Sequence, residues 1–495
     1  MRDVKRFLVN TVLLSRLSAV LLVVLALPAS SPAWGQEVDE STLEQRIAQL
    51  THAGGLTADQ VARQAVATNP DILARQAEVD AASAAVGQSE IAFAPKLTLS
   101  GSYARLSNFT PPLLGYAVVA GNNPGPVTDL TKLQVVPQAF PVFVNATTAQ
   151  AMLTLPISDY LLRLSQSYTS ARRSQRAAQL QEVAQQLRVQ ADAKIAYYTW
   201  ARATLSIVVA EQNLAQAQAH LHDVNSSFEG GIASKADVLR VESQVASAEG
   251  LLQKARHFLT VAEEQLRTAM HDPQARALVL GEDLSSALPA LSPALTPALY
   301  DEAIAHRPEL QALENSELAL RKQASATRAG LWPHLNGFGE VTVANPNQRF
   351  IPPQDRFDTT WSVGVALSWS PNESVSTYSQ AKGADAKVRQ VAAQRAALAD
   401  AIRVELAAAV QAVQDADTSV ATSSQGLVAS EASYRVRRSL FQVGRATSGE
   451  LTDAETDLLR AKLDAVNARV DQRISRIRFE HATGQDGARA AAKLD

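Results

Sequence analysis

The sequence predicts long antiparallel coiled-coil helical hairpins joined to short β-strands, four strands per chain, built as two copies of one unit. Three observations predict it: the chain aligns on itself, it holds runs of strict alternation, and it carries an apolar seam spaced 3 and 4 residues apart over many turns.

Residues 65–104 align without a gap on 303–342, placing Ala65, Pro70, Ile72, Ala74, Pro95, Leu97 and Gly101 on Ala303, Pro308, Leu310, Ala312, Pro333, Leu335 and Gly339. A second block places Phe228, Gly231, Ser234, Asp237, Val238 and Glu242 on Phe441, Gly444, Thr447, Glu450, Leu451 and Glu455. The offset changes between the blocks, so the first copy carries roughly 25 extra residues. Pro111-Pro112 and GNNPGP (121–126) place them in a long loop between two strands.

Each unit opens with a helix broken at Asn69-Pro70 or Arg307-Pro308 and ended by Pro95 or Pro333. Alternation follows. Leu97, Leu99, Gly101 and Tyr103 share a face, and Ala149, Ala151, Leu153 and Leu155 share one on the return strand. In the second copy the strands run near 334–344 and 361–370, with Trp361 and Trp369 expected at opposite ends of the last one. No Pro or Gly occurs between positions 157 and 229, which predicts a helix spanning roughly 100 Å. A second long helix covers 384–443, with only Gly426 inside. After each turn the seam begins: Val238, Val241, Val245, Ala248, Leu252, Ala255, Leu259, Ala262, Leu266 and Ala269, then Leu451, Ala454, Leu458, Ala461, Ala465 and Ala468.

Composition agrees. The chain has 495 residues, 46% hydrophobic but only 5% aromatic, which suits long Ala- and Leu-rich helices better than globular cores. A net charge of −3 without a dense basic patch predicts no nucleic-acid partner. There are no cysteines, hence no disulfide, thiolate metal site or lipid-bearing Cys. Residues 1–35 read as a signal peptide: Arg2, Lys5 and Arg6, then an apolar run over 17–27, with cleavage near Gly35-Gln36. That run is short for a membrane span, so an uncleaved anchor is the lesser alternative. No nucleotide-binding loop, nucleophile elbow or HExxH pattern is present, and the eight histidines are scattered, each expected to be exposed or locally satisfied. No enzyme, cofactor or metal is expected.

Four strands cannot close a barrel, and open edges in hydrocarbon leave backbone groups unpaired. Oligomerisation removes the edges: two chains give eight strands, three give twelve, and a conducting pore favours three.

These features resemble the TolC family of outer-membrane efflux proteins over 56–484. The resemblance rests on the repeat, the Pro landmarks and the tips FEGGIASKADV (228–238) and FQVGRATSGELTD (441–453). It implies a homotrimer with a 12-stranded barrel in outer-membrane lipid and an α-helical tunnel in the periplasm. The trimer would be a passive duct of a tripartite efflux or type I secretion system. A periplasmic adaptor and an inner-membrane transporter of RND, ABC or MFS type would be its partners. The tips, through Gly230, Gly231, Ser234, Val443, Gly444 and Thr447, would dock the adaptor. Glu450 and Asp453 would form a selectivity ring, their plainer alternative being acids that stabilise a helix N-terminus, and Asp237, Arg445 and Phe441 would make gate contacts. The family's basic gate position falls here on Ala446, and its first-tip Val-Gly is Gly230-Gly231. The competing reading is a structural or adhesive coiled-coil rod. The expected organisation is a signal at 1–35, a lead at 36–55, repeats at 56–270 and 300–484, a Pro-rich connection at 271–299 and a tail at 485–495. The strands of the first repeat are expected near 95–105 and 149–157, and the hairpin tips near 228–234 and 441–447.

Overall fold

The structure, a computed structural model, describes residues 43–120, 130–139, 141–272, 277–285, 288–289, 291 and 293–485. The expected signal, most of the lead, the GNNPGP segment, Pro273 and nearly all of the tail lie outside the described residues.

The first copy runs α1 (Leu43–Leu50), β1 (Thr51–Leu56), α2 (Ala58–Thr68), α3 (Pro70–Ile91), β2 (Lys96–Arg105), β3 (Leu113–Ala120), β4 (Leu133–Ala139), β5 (Asn145–Leu155), α4 (Ile157–Asp159), α5 (Ser165–Glu229) and α6 (Lys235–Met270). A π-turn at Tyr160–Leu164 joins α4 to α5. The second copy is α7 (Pro297–His306), α8 (Pro308–Ala329), β6 (His334–Asn345), β7 (Asp358–Ser368), α9 (Pro371–Gln442) and α10 (Ser448–Thr483). Pro70 and Pro308 stand at the first helical position, where the missing N–H costs nothing, and Asn69 caps α3 by accepting from the Asp71 amide at 2.8 Å.

Three expectations are corrected. The expected loop between the first strands contains a hairpin, β3 on β4. Pro137 lies within β4, which two-stranded pairing tolerates. The last strand starts and stops earlier than alternation suggests. Trp361 is therefore its fourth residue, and Trp369 follows just beyond its end. The second long helix starts at Pro371, well before 384, because Pro is accepted in its first turn.

The four main strands form one antiparallel sheet in the order β2-β5-β6-β7. Register carries one face across all four strands. Leu97, Leu153, Gly339 and Val363 make one row, and Leu99, Ala151, Val341 and Trp361 the next. The opposite face holds Thr98, Met152, Glu340 and Ser362 in one row and Ser100, Gln150, Thr342 and Thr360 in another. The apolar face is bare: Leu99 is 73% and Val363 75% exposed. Among the described residues, both outer strands, β2 and β7, have one unpaired edge. Among the described residues no helix is long and apolar enough to cross a membrane.

Below the sheet, α5 packs on α3 and α8, and α8 on α9. Further along, α5 pairs with α6 and α9 with α10, while α10 also packs on α5. Most of the predicted seam of α6 is its buried stripe, Val238, Val241, Ala248, Leu252, Ala255, Ala262 and Leu266, while Val245, Leu259 and Ala269 are half-buried. On α10 burial spreads to Lys462, Arg469, Gln472 and Arg473 as well, because two helices cover it. A core around Tyr197, Trp200, Val209 and Leu266 takes in Leu280 and Leu284 of the Pro-rich connection. Glu282 ties that connection down, accepting from the Ala58 amide at 2.6 Å and the Tyr198 hydroxyl at 2.7 Å. The same carboxylate and its burial push the Tyr198 phenol pKa well above its ordinary value, burial being the larger cause.

Candidate functional site

The two hairpin tips are built alike, residue for residue. α5 ends with the amide of Gly231 donating to Phe228 and that of Ile232 to Ser227, at 2.9 and 2.8 Å. α9 ends with Gly444 donating to Phe441 and Arg445 to Leu440, at 2.9 and 2.8 Å. Both are Schellman closures, and both need a left-handed residue: Gly231 has φ of 74° and Gly444 of 73°.

Three residues beyond each glycine the next helix is capped. The Ser234 hydroxyl accepts from the Asp237 amide at 3.2 Å, and the Ser234 amide returns a bond to the Asp237 carboxylate at 3.0 Å. Thr447 and Glu450 repeat this reciprocal cap, with the Thr447 amide reaching Glu450 Oε2 at 2.8 Å. The other Glu450 oxygen accepts from Arg437 of α9 at 2.9 Å. Ser234's hydroxyl and amide hold the Asp237 carboxyl below the usual carboxylate range. The Thr447 amide and hydroxyl, then Arg437, do the same for Glu450.

These contacts give two of the expected site acids a visible structural duty. Asp237 and Glu450 stabilise helix starts within the protomer, and Asp237 and Arg445 form no ion pair with each other among the described residues. Asp453 is exposed, one turn beyond Glu450 on α10. Phe441 turns inward. It packs against Val224, Val238 and Val241 of the first hairpin, with its ring edge-to-face on His220 at 5.3 Å.

Sequence reasoning missed what lies behind Phe441. His220, expected to be exposed or locally satisfied, is buried and bonded to residues more than two hundred positions away. Its Nδ1 meets Glu455 Oε2 at 3.1 Å, and its Nε2 meets the Ser448 hydroxyl at 3.2 Å. Gln244 of α6 donates to the same Glu455 oxygen at 2.7 Å. A lone histidine in an Ala-rich helix leaves no signal of this in the sequence. Among the described residues no cluster of His and acids could hold a metal ion.

Residues 61–270 and 299–485 match the profile of the outer membrane efflux protein family. Two proteins of Pseudomonas putida, the probable efflux pump outer membrane protein SepC and the toluene efflux pump outer membrane protein TtgF, are each 30% identical over 176 residues. That match covers 34% of this chain and 33% of each relative. The fold is similar to the outer-membrane channel OprN, with TM-score 0.69 at 18% identity, covering 92% of this chain and 97% of that one. It is likewise similar to the CmeC outer membrane channel of Campylobacter jejuni, with TM-score 0.68 at 14% identity and 94% of both chains covered.

Proposed function

Because the chain belongs to the outer membrane efflux protein family, we propose that it is the passive outer-membrane duct of a tripartite efflux or secretion assembly. One observation carries this reading: a four-stranded sheet with one bare apolar face and two open edges, continuous with helices too long for a compact domain. In hydrocarbon each unpaired backbone group costs several kcal/mol, so the β2 edge must meet the β7 edge of another copy. Three copies give twelve strands and room for a pore, whereas two give a barrel filled by its own side chains. The helices then continue the pore as a periplasmic tunnel, and the apolar face meets lipid.

In this arrangement the tips lie at the far end from the membrane. Gly230, Gly231 and Ser234 with Val443, Gly444 and Thr447 would receive a periplasmic adaptor, which links the duct to an inner-membrane transporter. Glu450 and Asp453 would line the entrance, three copies supplying six carboxylates that favour cations. Asp237, Arg445 and Phe441 would stand at the closing contacts. The test is conduction. The purified protein in planar bilayers should give stepwise currents, and replacing Glu450 and Asp453 together by Ala should lower its cation preference. A monomer that stays in solution without detergent and carries no current would overturn the reading.

A further inference from the structure

We propose that His220 and Glu455 form a buried clamp that sets the position of the second hairpin against the first, with Ser448 and Gln244 as its supporting partners. The clamp joins three helices at one oxygen. Glu455 Oε2 receives His220 of α5 at 3.1 Å and Gln244 of α6 at 2.7 Å, and Glu455 itself belongs to α10. The His220 and Glu455 side chains are 1% and 2% exposed. Glu455 Oε2 already accepts from Gln244, so Nδ1–H is the donor toward it, and Nε2 meets the Ser448 hydroxyl at 3.2 Å. Phe441 of α9 closes the ring's open side. At the rim, Arg240 of α6 lies over Gly449, where an added methyl would meet its guanidinium at 2.6 Å. Every helix of both hairpins thus contributes to one point just behind the tips.

The consequence lies in the phase of α10. Ser448 and Glu455 share the buried face with Leu451, Ala454 and Leu458, while Glu450 and Asp453 sit on the exposed face. Turning or withdrawing α10 moves the two acids and must first break the clamp. A buried carboxylate stripped of its donors costs far more than an exposed ion pair, which makes this a contact that resists such movement next to the tips. His220 and Glu455 are positioning residues: they act on the entrance through α10. Only this consequence rests on the duct reading; the clamp itself is measured independently.

The chain has no cysteine, so labels are unambiguous. Spin labels go on Lys235→Cys at the start of α6 and Asp457→Cys on α10, in the full-length protein in detergent, and the inter-label distances are read by pulsed resonance. The unmodified clamp should give a narrow short-distance component. His220→Ala and Glu455→Ala should each shift the balance toward displaced α10 by about tenfold, broadening that component. The double variant should fall short of the sum of the two single variants, since both remove the shared His220–Glu455 link. His220→Gln, which keeps one donor and one acceptor, should recover most of the narrow component. Ser448→Ala, which removes a single bond and leaves packing intact, should broaden it less and serves where the larger deletions fail to fold. In bilayers the same order should appear as increasing conductance. Distances identical to the parent in His220→Ala and Ser448→Ala, or His220→Gln behaving as His220→Ala, would overturn the clamp. A parent without conductance would overturn the duct while the distances still decide the clamp.

Discussion

Adjacent glycines at the first tip make a sharp internal control. Gly231 has φ of 74°, and a methyl added there meets nothing within 4 Å, so the whole cost of Gly231→Ala is conformational. The left-handed penalty is about 1–2 kcal/mol for a residue with a Cβ. Loss of glycine's freedom in the unfolded chain returns about 0.4–1 kcal/mol of that. The net destabilisation is therefore about 1 kcal/mol, confined to the tip. Gly230 is right-handed, with φ of −74°, and its methyl would meet Ser226 and Ser227 oxygens at 3.5 and 3.6 Å, ordinary contact distances. Val443 already holds a side chain at the equivalent place in the second tip. Gly230→Ala should be neutral or slightly stabilising. Hydrogen exchange followed by mass spectrometry on tip peptides reads this directly. Gly231→Ala should speed exchange about fivefold for residues 228–236, and Gly230→Ala should leave it unchanged. Equal acceleration by both variants would refute the backbone argument, as would none from Gly231→Ala.

Other predictions follow from the same structure. Thr447→Ala removes the cap of α10 and should cost about 1 kcal/mol, read as faster exchange in its first turn, whereas Thr447→Ser should not. Asp237 and Glu450 have carboxyl pKa values lowered by folding, so their contribution is full above the ordinary carboxylate values near 4 and is lost as pH falls through the lower folded values. Tip protection, corrected for intrinsic exchange, should therefore hold from neutral pH down to that range and fall only below it; a loss centred near pH 6.5 would contradict this. Trp200 is 2% exposed in the largest core, and Trp200→Ala should cost about 3–5 kcal/mol, seen as a lower unfolding temperature of the detergent-solubilised protein.

Local periodicity made the scaffold readable. The seam from Val238 to Leu266 and the alternation around Leu97 and Val363 reflect one buried or bare face each, and a single face leaves a regular trace. Where two elements cover one helix the trace fails. Lys462, Arg469, Gln472 and Arg473 look like a solvated face but are buried between neighbouring helices, with Lys462 donating to Gln212 at 3.0 Å. Burial lowers the Lys462 pKa for that reason. The capping roles of Asp237 and Glu450 were legible as Ser-x-x-Asp and Thr-x-x-Glu patterns. The His220 clamp was not, since the ring's own partners, Glu455 and Ser448, lie in the other copy of the repeat.

On the duct reading, the sheet completes itself with other copies of the chain. Single cysteines placed in turn along 97–103 of β2 and 360–366 of β7, paired one from each strand and oxidised in outer-membrane fractions, test it most directly. Matched positions should produce a covalent species of three chains, with a covalent dimer as its intermediate, and mismatched positions should not. Crosslinks that stop at two chains at every matched position, or a chain that stays uncrosslinked throughout, would contradict it.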